Sequence, residues 1–278
     1  MRKPVPGRPW LLGILAVVIG SFAASPPGHA ASATPVEREE EHAASRLAVA
    51  GLVGSLQIER HEQPGIRLVL RGSAEAIERV RREVRGDRLQ LTAEAGPGGT
   101  TSAVSASNNT VIALGGRATL SIGSVTTSAG SAQEAEPPLE LQVYVPAATP
   151  LAITGLVGDL SIEGVDGPVD LELISGRAQL DRVSGGSLAV VGGSHIEVAE
   201  ATGDLRVAVR AAGDVVVAET ALERLEVSVS GTGNVTVGGV AERATVQIAG
   251  LGNVAIDEVR ERPEVTVAGI GRVEIGNW

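Results

Sequence analysis

The stretch LEVSVSGTGNVTVGGV, residues 225–240, alternates apolar and polar residues on both sides of a Gly-x-Gly-Asn centre. Nineteen residues later ATVQIAGLGNVAIDEV (244–259) repeats the pattern, and EVTVAGIGRVEIG (264–276) repeats it again with Arg272 in the asparagine place. Upstream, Leu205, Val207, Val209, Gly213, Asp214, Val215 and Val217 fit after a shift of twenty, and Leu188, Val190, Gly192, His195, Ile196 and Val198 also fit. LISGRAQL (173–180) and ITGLVGDLSI (153–162) extend the series less regularly. VAGLVGSLQI (49–58) echoes the latter, which assigns the N-terminal region to the same structure.

A period of about 19 residues is too short for a helix-pair repeat and suits one coil of a parallel β-solenoid. The alternation with period two predicts two or three short strands per coil, with Val and Ile stacked in ladders inside. Each buried aliphatic contributes roughly 1.5–3 kcal/mol before conformational entropy is counted, so a coil is stable only within a stack. The expected fold is mainly all-β, a right-handed parallel β-helix over 46–278.

Glycine at the corner permits backbone angles that a side chain forbids and close approach of neighbouring segments. The polar residue beside it (Asp159, Gln179, His195, Asp214, Asn234, Asn253, Arg272) is expected to form a column along the solenoid. Three functional readings stand beside a purely structural corner. A dinucleotide loop needs a helix after the glycines, and here a β-rich segment follows. A calcium roll needs glycine and aspartate twice per coil, whereas this chain has one corner per coil and Asn or Arg in place of Asp. The third is a polar column that binds a glycan or a protein partner, with Asp159, His195, Asp214, Asn234 and Asn253 as its candidate residues.

The remaining segments are less regular. Residues 34–45 are polar and acidic and read as a linker. Ala74–Val84 places Ile77, Val80 and Val84 at helical spacing and predicts one amphipathic helix that plugs one end of the stack. Residues 96–136 are rich in Gly, Ser, Thr and Ala and read as an insertion. Trp278, the last residue, is expected to cap the other end of the apolar stack.

The chain opens with Arg2, Lys3 and Arg8, then an apolar run from Trp10 to about Ala24, then small residues. That order predicts a secretory signal peptide over 1–33, cleaved after Ala30 or Ala33, with an uncleaved anchor as the rival. The chain is therefore expected to be exported, to the periplasm, the cell envelope or the medium, with no stable membrane span after cleavage. No cysteine occurs, which excludes a lipid anchor at the junction, disulfides and thiol catalysis.

The formal charge is −10, and loss of the leader's three cations makes it more negative, so nucleic acid is excluded as a partner. Beyond the leader the only aromatic residues are Tyr144 and Trp278, which weighs against sugar clefts built on stacking rings and against membrane barrels with aromatic girdles. Ser194 and His195 are neighbours on a strand and point to opposite faces, so they do not make a nucleophile and base. No GxSxG elbow or HExxH helix is present, and the histidines lack ligand spacing, so neither cofactor nor metal is expected. Paired carboxylates meeting across coils leave a carbohydrate-active β-helix lyase or hydrolase as the alternative to a non-enzymatic binding module.

The N-terminal segment GIRLVLRGSAEAIERVRREVRGDRLQLTAE, followed by repeated VSVSGTGNVTV and VQIAGLGNVAI units, resembles the autotransporter adhesin head domain family, also called the head GIN domain. The resemblance runs from Arg46 to Ile275. It implies a β-helical fold in bacterial envelope proteins and adhesion as the role, with no catalytic residues to carry over. The sequence departs from an autotransporter in having no C-terminal translocator barrel.

Overall fold

A computed structural model describes residues 35–93 and 139–278. The leader expected at 1–33 and the whole of the insertion expected at 96–136 lie outside the described residues. In chain order the elements are β1 (Val36–His42), β2 (Arg46–Ala50), β3 (Gly54–Arg60), β4 (Ile66–Gly72), α1 (Ala74–Glu78), β5 (Val80–Arg85) and β6 (Arg88–Ala93). After the gap come β7 (Leu139–Val145), β8 (Leu151–Val157), β9 (Leu160–Glu163), β10 (Val169–Val190), β11 (Ser194–Val209), β12 (Gly213–Val229) and β13 (Asn234–Ile248). The last coil and a half hold β14 (Asn253–Val259), β15 (Glu264–Val267) and β16 (Arg272–Asn277). Strand accounts for 73% of the described residues, in a β-solenoid of about 7 turns.

The repeat read from the sequence is the coil. Ile196, Val215, Val235, Val254 and Val273 stand in parallel register on successive coils, and Leu188, Val207, Val227, Val246 and Val265 form a second ladder. All but the last member of each ladder are buried. Polar residues between them face solvent, so period-two alternation sorts each strand into core and surface. The spacing of twenty has a local cause: Gly203 and Asp204 pair with Leu222 and Arg224, leaving Glu223 as an extra residue in a bend. An insertion there leaves the inward alternation of the flat strands intact.

The echo of 49–58 in 153–162 is a direct stacking contact. Leu47 and Val49 pair with Leu151 and Ile153, and Leu56 and Ile58 pair with Leu160 and Ile162. The described residues between these two coils lie at the N-terminal end, where β6 stacks in parallel on β2 and β7 on β3. There β4 pairs antiparallel with both β1 and β7, and β5 pairs antiparallel with β6.

Three expectations are corrected in this cap and at the opposite end. The segment 34–45 contains β1, whose Glu37 and Glu39 pair with Arg71 and Arg67 of β4 at 3.0 and 2.7 Å. The helix stops at Glu78: Ser73 caps it by accepting from the Ala76 amide at 3.1 Å, and only Ile77 is buried. From Val80 the chain turns to strand because β6 offers a full antiparallel ladder through the two-residue loop Gly86-Asp87. Gly86 has φ 63°, the left-handed angle that such loops require. Trp278 is 72% exposed, and Val265 and Val267 of the last coil remain 42% and 44% exposed, so the apolar end of the stack is left uncapped.

The cap is tied across its two outer strands by charge. Glu40 of β1 receives Arg82 of β5 at 3.4 Å, with Arg38 and His42 at 2.6 and 3.4 Å. Arg82 also donates to the Ile77 carbonyl at 2.9 Å, and its partial burial lowers its pKa against the opposing pull of Glu40.

Candidate functional site

The corner glycines stack on one another. A Cβ on Gly231 would fall on the carbonyl oxygen of Ala211, one on Gly250 on that of Gly231, and one on Gly269 on that of Gly250. The second glycines of the motif behave alike: Gly233, Gly252 and Gly271 each face the carbonyl oxygen of the glycine one coil below. None of these six has a positive φ, so the corner needs glycine for close approach and not for a left-handed backbone. Matching rungs seal the corner, from the amides of Thr232, Leu251 and Ile270 to the carbonyls of Ala211, Gly231 and Gly250 at 2.9–3.0 Å. Ser194 occupies the same column one coil below Gly213, and its buried Oγ has no hydrogen-bond partner among the described residues.

The residue after the second glycine forms the expected polar column, with one change of membership. Register places His195 between Arg177 and Asp214, and Asn253 between Asn234 and Arg272. Asp159 precedes Leu160, which pairs with Ala178, so Asp159 lies beside Arg177. Gln179 is not in this column: it pairs with Ser161 and Glu197, two residues further along. The signal was present in the sequence, since Arg177 directly follows Gly176 as Asn234 follows Gly233.

Three of the column residues are joined. Asp214 Oδ1 accepts from both the backbone amide and the Nδ2 of Asn234, at 3.0 and 2.9 Å, and Asn234 Oδ1 accepts from Asn253 Nδ2 at 3.0 Å. Arg272 donates instead to Glu274 at 3.3 Å. Asp159, Asn234 and Asn253 are exposed, while His195 and Asp214 are half-buried. Among the described residues no side-chain hydrogen bond or ion pair joins Asp159 or His195 to the rest of the column.

The neighbouring column, Gln57, Ser161, Gln179 and Glu197, was not singled out from the sequence. At its N-terminal end Gln142 Nε2 donates to Gln57 Oε1 at 2.9 Å. Two shallow, open concavities lie on this face. One is bordered by Ser55, Gln57, Asp159 and Arg177, the other by Glu163, Gln179, Asp181 and Glu197. Glu163, Asp181 and Glu197 are all exposed. Among the described residues no group of three or more His, Asp or Glu is placed to hold a metal ion. Tyr144 lies under the guanidinium of Arg67, 5.5 Å from its ring centre, in the antiparallel cap.

Exposed ion pairs run along other bends, with Arg182 to Asp166 and Glu200 at 2.7 and 3.1 Å, Arg206 to Glu226 at 2.7 Å, and Arg260 to Glu242 at 2.6 Å. Arg182's pKa is raised, chiefly by its hydrogen bond to Asp166. Such exposed pairs are screened by solvent and mainly clothe the surface. No helix among the described residues is long and apolar enough to cross a membrane.

No curated protein matches the chain. Among solved structures it is similar to a "putative adhesin" from Bacteroides fragilis NCTC 9343, at 14% identity and a TM-score of 0.57, covering 87% of this chain and 97% of that one. A "putative adhesin" from Parabacteroides distasonis ATCC 8503 also shares 14% identity, covering 87% of this chain and 97% of that chain with a TM-score of 0.43. The first of these likenesses supports the fold. The family described as "Putative auto-transporter adhesin, head GIN domain" matches residues 52–277, most of the chain and nearly all of its coils, and the chain belongs to that family.

Proposed function

We propose that the protein is an exported cell-envelope solenoid that acts in adhesion as a non-enzymatic binding module, taking a glycan or an envelope protein on the face that carries the polar column. The observation that carries this reading is the ladder Asp214–Asn234–Asn253 on an exposed flat sheet, continued by Arg177 and Asp159 and flanked by Gln57, Ser161, Gln179 and Glu197. Successive rungs repeat at about 4.8 Å, the spacing between strands. A polymer with regularly placed hydroxyls or amides can therefore meet many equivalent donors and acceptors. Individually weak contacts then sum through effective concentration. Family membership supports an adhesive role and export.

The carbohydrate-active reading finds one feature in its favour, the carboxylates of Glu163, Asp181 and Glu197 around one concavity. They stand on an open surface, without the apolar enclosure that glycosidases build around a general acid. The test is a glycan and envelope-protein binding array with the purified chain, its hydrolysis products followed in parallel. Binding without turnover, weakened at least severalfold by N234A together with N253A in a protein of unchanged circular dichroism, is the expected result. Turnover of a bound glycan, binding untouched by the double substitution, or unfolding on chelation of divalent metal each contradicts the proposal.

A further inference from the structure

We infer that the C-terminal end of the solenoid is a self-association surface, on which two copies pair end to end about a two-fold axis with β16 antiparallel to its own copy. This is independent of the ligand-binding reading above.

Two observations point to this end. First, among the described residues β15 pairs only with β13 and β16 only with β14, so each leaves one row of backbone donors and acceptors without a described strand. The core beneath is open: Val265 and Val267 are 42% and 44% exposed, whereas Val246 and Ile248 one coil below are buried, and Val273 and Ile275 are half-buried. Second, the N-terminal end is built in the opposite way. Its outer strand β1 reads VEREEEH, and β5 reads VRREVR, with Glu40 and Arg82 paired across them. Charged edge strands of that kind resist pairing, whereas a Val- and Ile-bearing edge invites it.

The occupant follows from the sequence of the edge. When β16 pairs antiparallel with itself about Val273, Val273 faces its own copy, and Arg272 of each chain faces Glu274 of the other. Arg272 and Glu274 are 74% and 66% exposed and lie on the outward side, while Val273 and Ile275 lie on the core side. One register thus joins the apolar row to an apolar row and gives two reciprocal ion pairs, the self-complementarity that a two-fold contact requires. Head-to-tail stacking would instead place this apolar end on the ion-paired strands β1 and β5. Two copies joined at their C-terminal ends would present the polar column twice, extending outward in both directions.

The experiment uses sedimentation velocity on the purified chain from about 1 to 100 μM, with circular dichroism to confirm the fold of every variant. A single dimer species is expected. The chain has no cysteine, so V273C introduces a unique thiol that should form a disulfide-linked dimer on mild oxidation, while S161C, in the middle of a coil face, should not. R272E and E274R, each placing like charges opposite one another twice, should each weaken the dimer by about tenfold or more. The combination R272E/E274R should restore it to within about threefold. A monomer throughout the range, open-ended oligomers that grow with concentration, or a dimer indifferent to both single charge changes would overturn the inference.

Discussion

Replacing Gly250 with alanine tests why the corner contains glycine. The added Cβ would land on the carbonyl oxygen of Gly231, with the carbonyl carbons of Ser230 and Gly231 at 2.9 and 3.0 Å. These are backbone atoms of the coil below, so no side chain can swing away and the two coils must part. Overpacking of this kind costs about 1–3 kcal/mol. Because Gly250 does not have a positive φ, alanine also gains about 0.4–1 kcal/mol from a less flexible unfolded chain. The net loss is about 1–2 kcal/mol, which for a chain of this size lowers Tm by about 2–8 °C. Gly193 supplies the control within the same fold: it has no positive φ, and its nearest contact is the Ala212 carbonyl oxygen at 4.0 Å. G193A should therefore be neutral or slightly stabilising. Thermal unfolding followed by circular dichroism measures both. Equal effects of G250A and G193A would refute close approach as the reason for the corner glycines.

Three further outcomes are expected. S194A removes a buried hydroxyl that has no partner among the described residues, and should leave urea-derived stability unchanged or raise it by about 1 kcal/mol. R82A leaves Glu40 without its partner on β5 and should loosen β1 and β5 by about 1–3 kcal/mol, seen as faster amide exchange in those strands while β12 and β13 keep their protection. N234A breaks the two exposed hydrogen bonds of the Asn234 side chain, keeps the backbone amide's bond to Asp214, and should lower stability by no more than about 1 kcal/mol in thermal unfolding, so that any loss of ligand binding reports recognition and not folding.

The coils were legible in the sequence because each strand is sorted by one alternation and each corner by one glycine pair, both local signals. The stacking of Val49 on Ile153 was legible as an echo across a long separation. What local patterns could not reveal was which partner a segment would find. Ala74–Val84 has helical spacing, yet Val80 and the residues after it pair with β6, and tertiary pairing overrides the weak preference of RREVR. The acidic run at Val36–His42 lacks an apolar face and gave no strand signal, but Arg67 and Arg71 across the pair match its Glu39 and Glu37. In the candidate site, the apolar residues of LISGRAQL point to Gln179 as the column member, whereas Arg177, directly after Gly176, holds that position. A displacement of two residues keeps a side chain on the same face and moves it to the next column.

Nineteen residues make one coil, which can be counted in or out of the stack. Deleting Asn234–Gly252 joins Gly233 to Asn253 and seats Val254 on Val215 in place of Val235, preserving every ladder. Deleting Asn234–Asn253 removes one residue more and turns the following strand's apolar side to solvent. Circular dichroism and urea unfolding of the two deletions decide the matter. The first should fold cooperatively with the β-sheet spectrum of the parent and modestly lower stability, while the second should lose the coils beyond the junction. Unfolding of both to the same extent would contradict it.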